Sequence, residues 1–235
     1  MKCAMDHITS IEFDIRSKYG EDGVLNYLCE SIRMTDRFYF TVPDYSRSQQ
    51  FNPMINLVTS RGFTSCIAGS PNEIAAIAKQ TPAGLREVLD NIVSRSIQVF
   101  HVDTGYNDFW ILKHCMQEFE RRQMCPWIVC VPFNHAIPLH VACSVPWRPK
   151  SQPDGAYHTC SLLALLYTLP GYVLFGCTGN RICYFVLAEH AHRLKKLNST
   201  INTPQHVWNH LSRKFWVSVC PRVNHLHPLH TASHT

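Results

Sequence analysis

The polar side chains best placed to do chemistry lie in one short stretch, where Asp103, Asn107 and Asp108 interrupt an otherwise apolar sequence. Residues 99–102 before them predict a strand buried on both faces, and the apolar residues after Asp108 recur at helical spacing. We therefore predict a strand, a tight turn that carries Asp103, and a helix capped by Asn107. Open α/β sheets bind ligands at the carboxyl ends of their strands. Two interpretations stay open here, a binding site or a helix cap with a solvated turn.

Metal and nucleophile chemistry find less support in the sequence. The chain has 14 histidines, and His206 and His210 have the i, i+4 spacing that can hold a metal, but no HExxH motif or His/Cys quartet is present. We expect surface histidines and no metal site. A nucleophilic pair of Cys130 or Cys160 with His101 or His158 lacks a recognisable protease context. No P-loop and no GxGxxG motif is present, which argues against kinases and dehydrogenases.

Composition favours an ordinary globular protein. The 235 residues are 46% hydrophobic, and no run of about 18 apolar residues exists, so no membrane span is expected. The 11 cysteines form no CxxC pair, and the N-terminus lacks an apolar signal region, which together predict an intracellular, cytoplasmic protein with free thiols. The net charge of +5 is scattered along the chain, so no nucleic-acid partner is expected.

The elements that must position these side chains alternate along the chain. Apolar runs predict strands over 37–42, 64–68, 99–102 and 126–131, and a closing hairpin over 172–177 and 182–187. Helical spacing and capping signals predict helices over 22–33, 53–61, 70–80, 82–94, 108–119 and 160–169, with a long proline-rich loop over 132–156. This order predicts an α/β fold with a mostly parallel central sheet, helices on both faces and an antiparallel C-terminal hairpin strand, an architecture common to Rossmann-like methyltransferases. We expect one domain over 1–200, an extension with a last helix over 201–220, and a disordered histidine-rich tail over 221–235.

Several short motifs occur in the same order as in a known family of enzymes. Residues 17–28 read SKYGEDGVLNYL, residues 103–110 read DTGYNDFW, and residues 171–177 read GYVLFGC, with YFV at 184–186. With the strand at 39–47, Asn134 and Ser161, these segments resemble the FkbM-type S-adenosylmethionine-dependent methyltransferases over about residues 17–190. The resemblance implies a Rossmann-like methyltransferase fold, S-adenosylmethionine as cofactor, and a small-molecule hydroxyl group as substrate.

The chain departs from this family where the cofactor would bind. The resemblance places the S-adenosylmethionine site at Thr41, Pro43, Asp44 and Ala68. Glycines are expected after the first strand, but Pro43 fixes φ there and offers no N–H. Ala68 stands where an acidic residue would accept from the ribose hydroxyls. In the family's motifs, acidic residues are also replaced by Gly105 and Pro132.

Two functional hypotheses follow. The first is a methyltransferase-like protein with a degenerate cofactor site that binds or scaffolds a protein partner, as in a viral or otherwise fast-diverging copy of an enzyme. The alternative is an active, O-directed methyltransferase in which Asp103 or Asp108, with Asn107 beside them, positions or deprotonates a hydroxyl. Side chains of Tyr45, Arg47 or Phe63 that fill the space beside Pro43 and Ala68 would favour the first.

Overall fold

The computed structural model describes about half of the chain in detail. The described residues are 20–34, 36–43, 61–67, 96–104, 107–147, 160–178, 182–194 and 227–228, with the single residues 11, 12, 14, 17, 57 and 90. The helices predicted over 70–80 and from 203 lie outside them, as do most residues of those predicted over 53–61 and 82–94.

A six-stranded, mostly parallel sheet forms the centre of the described structure. Its strands are β1 (Phe38–Pro43), β2 (Thr64–Ile67), β3 (Val99–Asp103), β4 (Ile128–Pro132), β6 (Tyr172–Thr178) and β7 (Ile182–Leu187). They lie in the order β2-β1-β3-β4-β7-β6, and the pairs among the first four are parallel. The strand β7 runs antiparallel to both β4 and β6. The predicted α/β class, the mostly parallel sheet and the closing hairpin are confirmed.

Two longer helices, α1 (Glu21–Ile32) and α2 (Asp108–Arg121), pack on opposite faces of this sheet. On one face, Phe119 of α2 meets Phe40 and Phe100 edge-on, with ring centroids 6.3 and 5.1 Å away. The next residue along β3, His101, points to the other face, as does its register partner Cys130 on β4. Burial raises the pKa of Cys130, and Cys29 and Glu21 of α1 lie close enough to raise it further.

The strands are buried because their sequences are continuously apolar. All five residues of β4 are buried, and in β3 only Asp103 is partly exposed. A strand covered on both faces needs no polar alternation, which is why these runs read as uniformly hydrophobic. Phe63, by contrast, precedes β2 at the edge where Phe38 begins β1, because Thr64 pairs with Phe38. It is buried, but at the opposite end of the sheet from Pro43.

The segment predicted as one long loop contains a short strand. Cys143–Ser144 form β5, which pairs antiparallel with β8 (His227–Pro228) and, through Ser144, with Cys160. Two residues of the segment predicted to be a disordered tail are thus paired. The apolar helix predicted from Cys160 is α3 (Leu162–Thr168), and the short helix α4 (Ala188–Ala191) follows β7. Of the helices that are described, none is long and apolar enough to cross a membrane.

Candidate functional site

The carboxyl ends of β1, β3 and β4 meet at one edge of the sheet, which we call the carboxyl edge. Pro43, the last residue of β1, is the register partner of Asp103, the last residue of β3. The strand β4 ends at Pro132 on the other side of β3, and Phe133 and Asn134 follow. Parallel pairing therefore places one position of the proposed cofactor site, Pro43, beside one proposed catalytic residue, Asp103.

The turn after β3 differs in detail from the prediction. Asp103 is the last strand residue and is partly exposed, whereas it was predicted to lie on the turn. Asn107 stands at the N-cap position of α2 and is buried, but its side chain makes no capping hydrogen bond. The predicted cap is therefore wrong in its chemistry, because the side chain of the next residue, Asp108, binds the turn instead.

Asp108 is fully buried and holds the turn closed. Its Oδ1 accepts hydrogen bonds from the backbone N of Thr104 at 2.6 Å and from Oγ1 of Thr104 at 2.9 Å. Hydrogen bonds to a carboxylate are stronger than neutral ones, and the first turn of a helix favours a negative charge. The observed contacts of Asp108 thus stabilise the turn. Of the three proposed catalytic residues, Asp103 is the one that reaches solvent.

A second set of hydrogen bonds ties α3 to the carboxyl edge. The side chain of Ser161 caps α3 by accepting from the backbone N of Ala164, and it also accepts from the backbone N of Cys143, both at 3.1 Å. The backbone N of Asn134 donates to the carbonyl of Cys160 at 2.7 Å, while Oδ1 of Asn134 accepts from the backbone N of Ala136. Asn134 and Ser161, on which part of the predicted resemblance rests, therefore shape the backbone around β5.

The proposed cofactor positions are only partly visible. Thr41 is fully buried, and its Oγ1 lies 3.0 Å from Nδ1 of His101 in a side-chain hydrogen bond between β1 and β3. Asp44 and Ala68 lie outside the described residues, as do Tyr45 and Arg47. Phe63, one of the three side chains that could have filled this space, lies at the other end of the sheet.

The candidate nucleophiles are not activated. Burial raises the pKa of Cys130 and of Cys160 well above the ordinary value, and for Cys160 the nearby Asp108 raises it further. A nucleophilic cysteine needs the opposite shift, because the thiolate is the reactive form. Because Asp108 affects the pKa of Cys160, the two side chains lie near each other although they are distant in the sequence.

Three further contacts of the candidate site were missed at the sequence level. Nε1 of Trp110 donates to the carbonyl of Val145 at 2.8 Å, which fixes the loop after β5 against α2. Thr104 supplies both donors to Asp108, and Oγ1 of Thr178 lies 3.0 Å from the hydroxyl of Tyr184. The spacing of Thr104 and Asp108 could have predicted this hydrogen bond, because an acidic side chain at the start of a helix can accept from a threonine four residues before it.

The described residues contain no group of three or more His, Cys, Asp or Glu side chains that could hold a metal ion. No family model, no curated protein and no solved structure matches the chain. What the fold and the site define is therefore the class alone: an α/β protein with an open, mostly parallel sheet and polar residues at its carboxyl edge.

Proposed function

We propose that the chain is a methyltransferase-like protein of FkbM type whose cofactor site has degenerated, and that it acts by binding a protein partner. The observation that carries this proposal is the pairing of Pro43 with Asp103 at the carboxyl edge. A Rossmann-like site needs backbone N–H groups and a sharp, glycine-based turn at this point. Pro43 supplies neither.

The sheet supports the fold half of the proposal. Four parallel strands closed by an antiparallel hairpin form the architecture common to Rossmann-like methyltransferases. The segments that resemble the family lie on regular elements: residues 21–28 on α1, Asp103 and Asp108–Trp110 on β3 and α2, and residues 172–177 on β6. A Rossmann-like methyltransferase fold is thus the finer description that we propose for the observed α/β sheet.

The chemistry of the replaced residues supports the binding half. Alanine at position 68 offers no acceptor for ribose hydroxyls, and Pro43 removes a donor. Each missing hydrogen bond to a buried polar ligand group costs about 1–3 kcal/mol. Two such losses together weaken binding by on the order of a thousandfold. Asp108 meanwhile uses its carboxylate on Thr104, inside the protein.

The alternative is an active, S-adenosylmethionine-dependent O-methyltransferase with an atypical pocket. One observation favours it: Asp103 is partly exposed at the carboxyl edge, where substrates of α/β enzymes bind. In that case Asp103 positions or deprotonates a hydroxyl of a small molecule, beside the buried Asn107, and Asp108 holds the turn that follows Asp103 through its hydrogen bonds to Thr104.

Calorimetric titration of the full chain with S-adenosylhomocysteine separates the two functions. If the site is degenerate, the unaltered chain at micromolar concentration should give no measurable heat of binding. The double variant Pro43→Gly with Ala68→Glu should bind S-adenosylhomocysteine. Pro138→Gly combined with Ala136→Glu is the matched control, since Pro138 and Ala136 are exposed in the loop after β4. Micromolar binding by the unaltered chain overturns the degenerate site and favours the enzyme.

A further inference from the structure

The hairpin at the end of the sheet brings two thiols into contact. Cys177 on β6 and Cys183 on β7 are direct register partners, and their Sγ atoms lie 3.1 Å apart. Both side chains are buried, with 3% and 0% of their surface exposed, and both are free cysteines. The two chain positions therefore already meet the main requirement for a covalent bond, which is proximity.

The backbone fits the same bond. Directly opposed residues of antiparallel strands have Cα atoms about 4.5–5.5 Å apart. Disulfides join Cα atoms that are about 4.4–6.8 Å apart. A bond between Cys177 and Cys183 thus needs side-chain rotation and little backbone movement.

We propose that Cys177 and Cys183 are a redox-modification site, at which a small disulfide of the glutathione type oxidises the pair to a cross-strand disulfide. The thiolate of Cys177 attacks one sulfur of the oxidant and releases one glutathione thiolate. Cys183 then gives up its proton and attacks the mixed disulfide, which releases the second glutathione. The protein loses two protons and two electrons, and the oxidant becomes two molecules of reduced glutathione.

The order of attack follows from the surroundings of each sulfur. Burial raises the pKa of Cys183 well above its ordinary value, and the thiol of Cys177 raises it further. Cys183 therefore stays protonated and reacts second, while Cys177 is the slightly more exposed of the two. This order applies to the folded chain, which reacts slowly because both thiols are buried. While the hairpin is still forming, both thiols are more accessible, so the bond forms faster and either thiol can react first.

The bond would act next to the carboxyl edge. Cys183 is also the register partner of Val131 on β4, one residue before Pro132. The thiol of Cys160, which lies 3.8 Å from the carbonyl of Pro132, is close enough to affect the pKa of Cys183. A disulfide here would cross-link β6 and β7 next to the carboxyl edge, whatever function that edge has.

Refolding of the reduced full chain in glutathione buffers of graded ratio tests the proposal. After acid quench and alkylation, peptide mapping by mass spectrometry should find Cys177 linked to Cys183, with a mass lower by two hydrogen atoms. The oxidised chain should also melt at a higher temperature than the reduced chain. This difference should vanish in Cys177→Ala with Cys183→Ala and persist in Cys115→Ala, which removes a buried thiol on α2.

Two results overturn it. One is recovery of both residues as free thiols after the chain has regained its native circular dichroism spectrum in the most oxidising buffer. The other is a bond from Cys160 to either residue, which would mean that the observed contact does not direct the oxidation. Peptide mapping of the unaltered chain decides this even if the double variant does not fold.

Discussion

The two faces of the sheet are built from alternate residues of the same strands, yet they differ in chemistry. On the face covered by α2, Phe40 and Phe100 stack at 5.5 Å and both contact Phe119. On the face covered by α1, the next residues, Thr41 and His101, form a buried hydrogen bond, and further along the sheet Thr178 and Tyr184 form another.

The difference shows how each helix is held. The aromatic pairs Phe40–Phe100, Phe40–Phe119 and Phe100–Phe119 stabilise the α2 face by burial and by ring geometry, and these side chains carry no polar group that needs a partner. On the α1 face, each polar side chain loses its water on folding and recovers that loss through a partner on a neighbouring strand. We expect the α2 face to dominate stability and the α1 face to depend on exact pairing. Variants of Phe100 and Thr41 test this contrast, and variants of Asp108 and His190 extend it to buried polar groups of α2 and α4.

Phe100→Ala should have the largest effect, a loss of about 3–5 kcal/mol in the free energy of unfolding, because it removes one stack and one edge contact and leaves a cavity. Urea denaturation followed by circular dichroism measures it. Tyr167→Ala, at a tyrosine that is 59% exposed, is the control and should change stability by less than about 0.5 kcal/mol. A loss below about 1 kcal/mol for Phe100→Ala would mean that the α2 face is not the stabilising one.

Asp108→Ala should cost about 1.5–3 kcal/mol, because two donors of Thr104 lose a charged acceptor inside the protein. Asp108→Asn keeps an acceptor oxygen and should cost less. The same denaturation measurement compares them. Equal losses for the two variants would contradict a role of the Oδ1 hydrogen bonds in holding the turn.

Thr41→Val should cost on the order of 1 kcal/mol, since it removes the hydroxyl bound to Nδ1 of His101 and keeps the side-chain shape. Thr41→Ser retains the hydroxyl and serves as the control, although it also removes a methyl group. The chemical shifts of the His101 ring nitrogens, measured by nuclear magnetic resonance, should change in Thr41→Val and stay near their original values in Thr41→Ser. An unchanged resonance in both variants would show that the pair across β1 and β3 is not formed.

His190 offers the smallest effect, and it is pH-dependent. Burial lowers its pKa below the ordinary value of 6.5, Arg193 and His192 lower it further, and Glu189 opposes them. As the pH falls through about 6.5, the histidine therefore binds a proton in the unfolded chain while it stays neutral in the folded chain. Stability contributed by neutral His190 is present above that pH and lost below it.

His190→Gln should reduce the loss of stability between about pH 7.5 and 5.5, as measured by urea denaturation at each pH. His140→Gln, at an exposed histidine, is the control for the substitution itself and should change the free energy of unfolding at pH 7.5 by less than about 0.5 kcal/mol. A steeper pH dependence in His190→Gln would reverse the sign that we assign to this group.

The sequence predicted the sheet well because apolar runs carry a strong local signal. The bounds of α1, β1, β6 and β7 agree with the predictions to within a residue or so. The strand β5 was missed because two residues carry no periodicity, and it is defined by a partner more than eighty residues away, at His227–Pro228.

The candidate site was only partly predictable for a similar reason. The sequence placed Asp103 at the carboxyl end of a strand, and the structure adds that Pro43 of β1 is its register partner. The bond from Thr41 to His101 depends on register, and the proximity of Cys160 to Asp108 depends on how α3 returns to the sheet. Neither of these contacts can be predicted from the spacing of residues along the chain. That Asp108 and not Asn107 binds the turn follows from turn geometry, which residue types alone do not determine.

The position of β7 has a consequence for synthesis of the chain. In the described sheet, β7 lies between β4 and β6, although it leaves the ribosome after both. The open edge of β4 thus stays unpaired until residues 182–187 emerge, and β6 gains its neighbour at the same moment. An exposed strand edge is a site for wrong pairing with other chains. The nascent chain therefore passes through an interval, from residue 132 to residue 187, in which it has most to gain from a chaperone.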